Sequence, residues 1–255
     1  MNPSSAKQVP SRPRNAARFF FLIALAAILV AGFCSLGVWQ MQRRAWKLEL
    51  ISQVEQRVHR PATEAPGPAQ WPSLSRDGDE YRNVAATGIL RYDQETLVQA
   101  ATDYGSGYWV MTPMQMRGGG TVLINRGFVL PAWRKRQDKA EPAGEAVVPG
   151  LLRMSEPDFR FFRHNDPSQD LWYSRDTQAI AAKRGLAEAA PYFIDAEKTG
   201  AAAPDPAVAP VPGLTVLDFP NNHLSYALTW FAMAAMVILC VAIVVRVESR
   251  ADDHD

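Results

Sequence analysis

The sequence predicts a membrane-anchored α+β protein, with two transmembrane helices flanking a mainly antiparallel β extramembrane domain. Three observations carry that class. Uncharged apolar runs lie near both ends, Phe19 to Val38 and Leu224 to Val245. At about 1.5 Å of rise per residue, each can cross a hydrocarbon core of about 30 Å. Between them, short apolar segments rich in β-branched and aromatic residues are separated by glycine and polar turns, the pattern of consecutive strands. The resulting organisation is a tail over 1–18, a span over 19–41, a β-rich domain with Pro/Ala linkers over 42–220, a span over 221–245 and a tail over 246–255.

The leader carries Lys7, Arg12, Arg14 and Arg18 and no acidic residue. The positive-inside tendency therefore keeps both tails in the cytoplasm, or in the matrix of a mitochondrion, and puts the domain in the periplasm or intermembrane space. Arg43, Arg44 and Lys47 pull the other way, but long translocated domains escape the rule. The first apolar run is too long for a secretory core, and Phe33 before Cys34 does not suit a lipoprotein site, so an uncleaved anchor is expected. Good helix formers continue from Trp39 to about Val58, where Pro61, Pro66, Pro68 and Pro72 end the helix.

Strands are predicted at Val84–Leu90, Thr96–Ala100, Tyr108–Thr112, Thr121–Asn125, Val147–Arg153 and Pro191–Asp195. Arg117-Gly118-Gly119-Gly120 reads as a hairpin turn. Asp176 to Gly185 reads as a helix with an aspartate N-cap and a glycine stop. Ala201 to Pro212 reads as a linker back to the membrane.

Several chemistries find no support. The 27 basic and 26 acidic residues are interspersed, giving net +1 and no polyelectrolyte field, so nucleic acid is not an expected partner. Cys34 and Cys240 both lie in the spans, about 18 Å apart in depth by helical rise, too far for a disulfide. The domain has no cysteine and so no thiolate redox or copper pair. Gly105-Ser106-Gly107 lacks the spacing of a nucleophile elbow, and there is no Walker loop or His-Glu-x-x-His. The four histidines are far apart, and Asp252-Asp253-His254-Asp255 reads as a solvated tail.

What remains is the outer membrane face. His223, Tyr226, Ala227 and Trp230 fall at i, i+3, i+4 and i+7, one side of a helix, and His223 is the only histidine beside a span. The loop-side end of the first span carries Gly37, Trp39, Gln40 and Arg43 at the same depth. An imidazole, flat aromatics and guanidinium groups suit a porphyrin with an axial nitrogen and propionates near water. Equally, such residues are common wherever a span meets headgroups.

The motifs resemble the surfeit locus protein one family, the Shy-type assembly factors of cytochrome c oxidase. The resemblance runs through Leu36-Gly37-Val38-Trp39-Gln40, Arg43, Trp46-Lys47, Tyr81-Arg82, Gly88, Gly107-Tyr108, Thr112-Pro113 and Val122 to Val129. It continues through Phe162, Asn165, Pro167, Trp172 and Asp176 to Asn222-His223-Leu224-Ser225-Tyr226-Ala227-Leu228-Thr229-Trp230-Phe231. Phe128, Leu130 and Leu90 depart from it by apolar exchanges. The resemblance implies a non-enzymatic, multi-pass protein of the cell inner membrane (the mitochondrial one in a eukaryote) that helps insert haem a into the oxidase catalytic subunit. It makes His223 the expected ligand of the haem iron, with Tyr226, Trp230, Trp39 and Arg43 around it. Haem a synthase is a further possible partner beside membrane lipid. The alternative is a membrane-anchored scaffold for oxidase subunits that binds no cofactor. Arg126 is expected to pair with a domain carboxylate, Trp172 to lie in the core, and His59 and His164 to lie on the surface.

Overall fold

The computed structural model describes residues 16–135, 142–157, 163–198, 200, 202–215 and 219–252. Lys7, Arg12, Arg14, Phe162, His254 and the carboxylates at 253 and 255 lie outside the described residues. The elements in order are helix α1 (Ala16–Val58), strand β1 (Thr63–Glu64), helix α2 (Arg76–Asp79), and strands β2 (Asn83–Leu90), β3 (Thr96–Thr102), β4 (Gly105–Met116), β5 (Thr121–Val129) and β6 (Glu145–Met154). Helix α3 (Thr177–Arg184), strand β7 (Ala189–Ala196) and helix α4 (His223–Asp252) follow. Two compact units result, a helical one (1–50 with 219–255) and a β one (51–218).

α1 runs unbroken for 43 residues, well past the apolar stretch, as its helix formers predict. α1 and α4 are each long and apolar enough to cross a membrane.

In the β unit the strands follow the order β1-β2-β6-β7-β5-β4-β3, and β2 also pairs with β4. That extra pairing closes β2-β6-β7-β5-β4 into a small barrel, with β1 and β3 attached outside it. Most pairs are antiparallel as expected, but β5–β7 and β1–β2 are parallel. Closure and the parallel contacts are not written in local sequence, because they depend on which distant edges meet. At the closing seam, Gly88 lies opposite Met116, and a Cβ there would sit 2.1 Å from the Gln115 carbonyl oxygen. Only glycine lets the two backbones approach so closely.

Strand alternation sorts the core into two layers. Val84, Ala86, Val122, Ile124, Leu152, Tyr192 and Ile194 pack inside the barrel, where Tyr192 donates its hydroxyl to the Pro66 carbonyl at 2.8 Å. Burial pushes the Tyr192 phenol above its ordinary range, so it stays a donor. Alternate residues Leu123 and Phe193 face outward, under a second layer of Trp172 and Ile180. Trp172 is thus a core residue, and α3 has its expected ends: Asp176 caps the amides of Gln178 and Ala179, and Gly185 stops it in the left-handed conformation. His59 and His164 are exposed.

The Asn125-Arg126-Gly127 block has a distinct job for each residue. Asn125 reaches Asp195 at 2.7 Å, Arg126 pairs with Glu95 as expected of it, and Gly127, at φ 127°, lets β5 pass under the Val211 carbonyl. Val211 is buried and exchanges hydrogen bonds with Phe128. The segment expected as a linker over Ala201–Pro212 is thus fastened to the domain at Pro206 and Val211. Valine is apolar enough to dock in the domain, and the Leu130 amide binds the Pro206 carbonyl as well.

Asp195, 5% exposed, accepts from Asn125, Thr215, Arg153 and Arg175 at 2.7–3.2 Å. Glu80 and Glu156 complete the network. Burial opposes the charge on Arg153, but Asp195, Tyr81, Glu80 and Glu156 outweigh it and hold its pKa above the ordinary guanidinium value. Removing one partner of such a network strands the others. Asp195→Ala is expected to destabilise the β unit by about 3–5 kcal/mol, read as a lower urea midpoint of the detergent-solubilised full chain by tryptophan fluorescence. A loss near zero would mean that the arginines find other counter-ions.

Candidate functional site

The helical unit is held by a seam of residues spaced three and four apart. On α1 these are Phe33, Gly37, Gln40, Arg44 and Lys47, and on α4 His223, Ala227, Trp230 and Ala234, all buried or half-buried. Small residues lie buried in the seam, Gly37, Ala227 and Ala234, and Gly37 lies directly beneath the Phe231 ring. In the same seam the Phe33 and Trp230 rings stack, 5.8 Å between centroids and 28° between planes.

At the loop-side end, His223 Nδ1 lies 2.7 Å from Gln40 Oε1. An amide oxygen only accepts, so in the neutral ring Nδ1 carries the proton and Nε2 keeps its lone pair. Lys47 Nζ donates to the Pro220 carbonyl just before α4. Asn221 Oδ1 is buried with no hydrogen-bond donor among the described residues. This end is polar, whereas the seam below it is not.

The structure brings together some of the expected site residues and not others. His223 and Trp230 lie on the seam. Tyr226 and Trp39 are 56% and 54% exposed, off the contact face. Arg43 is also exposed, its guanidinium stacked 4.0 Å over Trp46. Phe33 is a site residue that sequence reasoning missed. Counting back one heptad from Gln40 along the helix would have found it, since 33, 37 and 40 share one face. Among the described residues, no group of three or more His, Cys, Asp or Glu could hold a metal ion, and Cys34 and Cys240 are free thiols.

The β unit has a polar cleft of about 220 Å³ beside Trp109, Arg153, Arg175 and Thr215. Its charged groups are paired with one another through Asp195, Glu80 and Glu156, which reads as structural bracing.

Because the Phe231 ring sits against Gly37, where an added Cβ would come within 2.5 Å of it, a larger side chain there must displace the ring. Gly37→Leu is expected to cost about 1–3 kcal/mol, seen as a lower melting temperature of the full chain in detergent. An unchanged melt would show that the helices do not depend on this contact.

Comparison with known proteins agrees with the position of these motifs. The model of the SURF1 family matches residues 27–235. The chain is 36% identical over 232 residues to Surfeit locus protein 1 of Xenopus tropicalis, covering 83% of this chain and 71% of the relative. It is 34% identical over 238 residues to Surfeit locus protein 1 of Homo sapiens, covering 85% and 74%. A SURF1-like protein of Monosiga brevicollis is 34% identical over 230 residues, covering 84% of each chain. With the match running from the first third of α1 to the middle of α4 and through every strand of the barrel, this chain belongs to the SURF1 family.

Proposed function

We propose that this protein is a membrane-anchored, non-enzymatic assembly factor for cytochrome c oxidase, which holds haem a transiently while it is inserted into the catalytic subunit. The observation that carries this reading is the bond between His223 Nδ1 and Gln40 Oε1. Histidines that ligate metals commonly donate their second ring N–H to a fixed acceptor, which sets the tautomer and the ring's aim. Here the acceptor comes from the other helix, and Nε2 is left to bind iron.

The surroundings fit the cargo. The Phe33–Trp230 stack offers an apolar wall below the imidazole. Arg43 and Arg44, one helical turn beyond Gln40, supply cations for carboxylates at the water boundary. A carrier must also let go, and ligation by His223 alone would keep affinity modest. Tyr226 and Trp39, being exposed, are better placed to meet lipid or a partner than the cargo itself.

In this reading α1 and α4 span the inner membrane, both tails lie on its inner side, and the barrel faces the periplasm or intermembrane space. There it would dock on the oxidase catalytic subunit or on haem a synthase. A second reading draws on the same bond: the His223–Gln40 contact could simply staple two helices of a scaffold that binds oxidase subunits and no cofactor.

The test is spectroscopic. Full-chain protein purified from cells that make haem a is expected to show a Soret band, reduced at least tenfold by His223→Ala. Gln40→Ala is expected to weaken haem a binding by about tenfold, as for other groups that orient a ligand. No band in the wild type would favour the scaffold. A band indifferent to His223→Ala would end the assignment of that ligand.

A further inference from the structure

Between the inner halves of α1 and α4 runs a groove of about 460 Å³, lined among others by Phe19, Ala26, Phe33, Met233, Val237 and Val241. Its lining has no charged or hydrogen-bonding side chain apart from the thiol of Cys240. From Phe33 to Phe19 it extends about 20 Å by helical rise. Phe33 joins the two features, since it both stacks on Trp230 and forms the upper wall of the groove. On α4, His223, Ala227, Trp230, Met233 and Val237 follow one another at intervals of three or four, so a single helix face leads from the imidazole into the groove.

We propose that this groove takes the isoprenoid tail of haem a. The inference rests on the reading of the protein as a haem a carrier and adds a second point of attachment to it. Haem a is an amphiphile: its propionates lie at one edge of the macrocycle, and a long isoprenoid chain leaves the other side. The seam has the same polarity, with His223, Gln40, Arg44 and Lys47 at the watery end and an apolar channel beneath the aromatic stack. With the iron at His223 and the propionates toward Arg43 and Arg44, the tail points along the groove. A phospholipid acyl chain could lie in the same channel, but it offers nothing to the imidazole above. Haem b has the same iron and propionates without the tail, so the groove would tell the two haems apart by apolar contact.

The proposal is tested by titrating haem a and haem b separately into the full chain in nanodiscs of fixed lipid composition, following the Soret band. The wild type is expected to bind haem a at least tenfold more tightly than haem b. Ala26→Trp and Val241→Phe, which fill the groove from opposite walls, are expected to bring haem a down to the affinity of haem b. Haem b binding and the Soret position should not move, which also shows that the variants are folded. Equal affinity for both haems in the wild type, or a preference that survives both fillings, would overturn the proposal. His223→Ala separates iron ligation from tail binding. If it weakens both haems while their ratio persists, ligation and tail are separately supported. If it changes neither while Ala26→Trp still removes the preference, the tail site stands and the ligand assignment falls. Failure of the wild type to bind either haem would sink both.

Discussion

A histidine at the head of a long apolar helix, half-buried against a second one, has a difficulty that shapes everything around it. A ring nitrogen turned into the seam between two helices is costly to leave unpaired, and here it is met by a group from the protein. Gln40 meets it from the opposite helix at 2.7 Å. That contact needs α1 and α4 in one register, and small buried residues line the same seam, Gly37 beneath the Phe231 ring on one side and Ala227 and Ala234 on the other. The stacked rings of Phe33 and Trp230 then fall one turn or two below the imidazole as a result of the same spacing.

The β unit solves a different problem with similar means. A small barrel has few inward positions, and they are filled by alternate residues of five strands, among them Val84, Ile124, Leu152, Tyr192 and Ile194. Its ionic network lies outside that apolar interior. Arg153 and Arg175 share the carboxylate of Asp195, which also receives Asn125 from β5 and Thr215 from the segment after β7. One aspartate thus ties together residues far apart in the chain, at a place where hydrophobic contacts alone would leave the strand ends free to splay.

Local signals in the sequence were read well wherever local physics decides the outcome. The alternation around Val84, the glycine turn after Met116 and the Asp176 cap each depend on a few neighbouring residues, and each appears where expected. Closure of β2 on β4 and the parallel pairing of β5 with β7 depend on which distant edges meet, and no short motif records that. The candidate site divides in the same way. The spacing on α4 puts His223 and Trp230 on one face, but no local signal records which face of α1 meets them: Phe33 lies on the contact face and Trp39 off it. The apolar content of Ala201–Pro212 concealed Val211, whose burial depends on Phe128 far upstream.

Closing the barrel also changes how the domain behaves in company. An open sheet offers a row of unpaired amides to any neighbouring chain, and pairing there leads to aggregation. Here the two strands left outside the closure are poor templates. β1 is two residues long, and the edge of β3 is already engaged at Gln99 by the Trp172 carbonyl. A fold of this kind can be present at high local concentration without polymerising, so its encounters are left to side chains, which can be specific and can be undone.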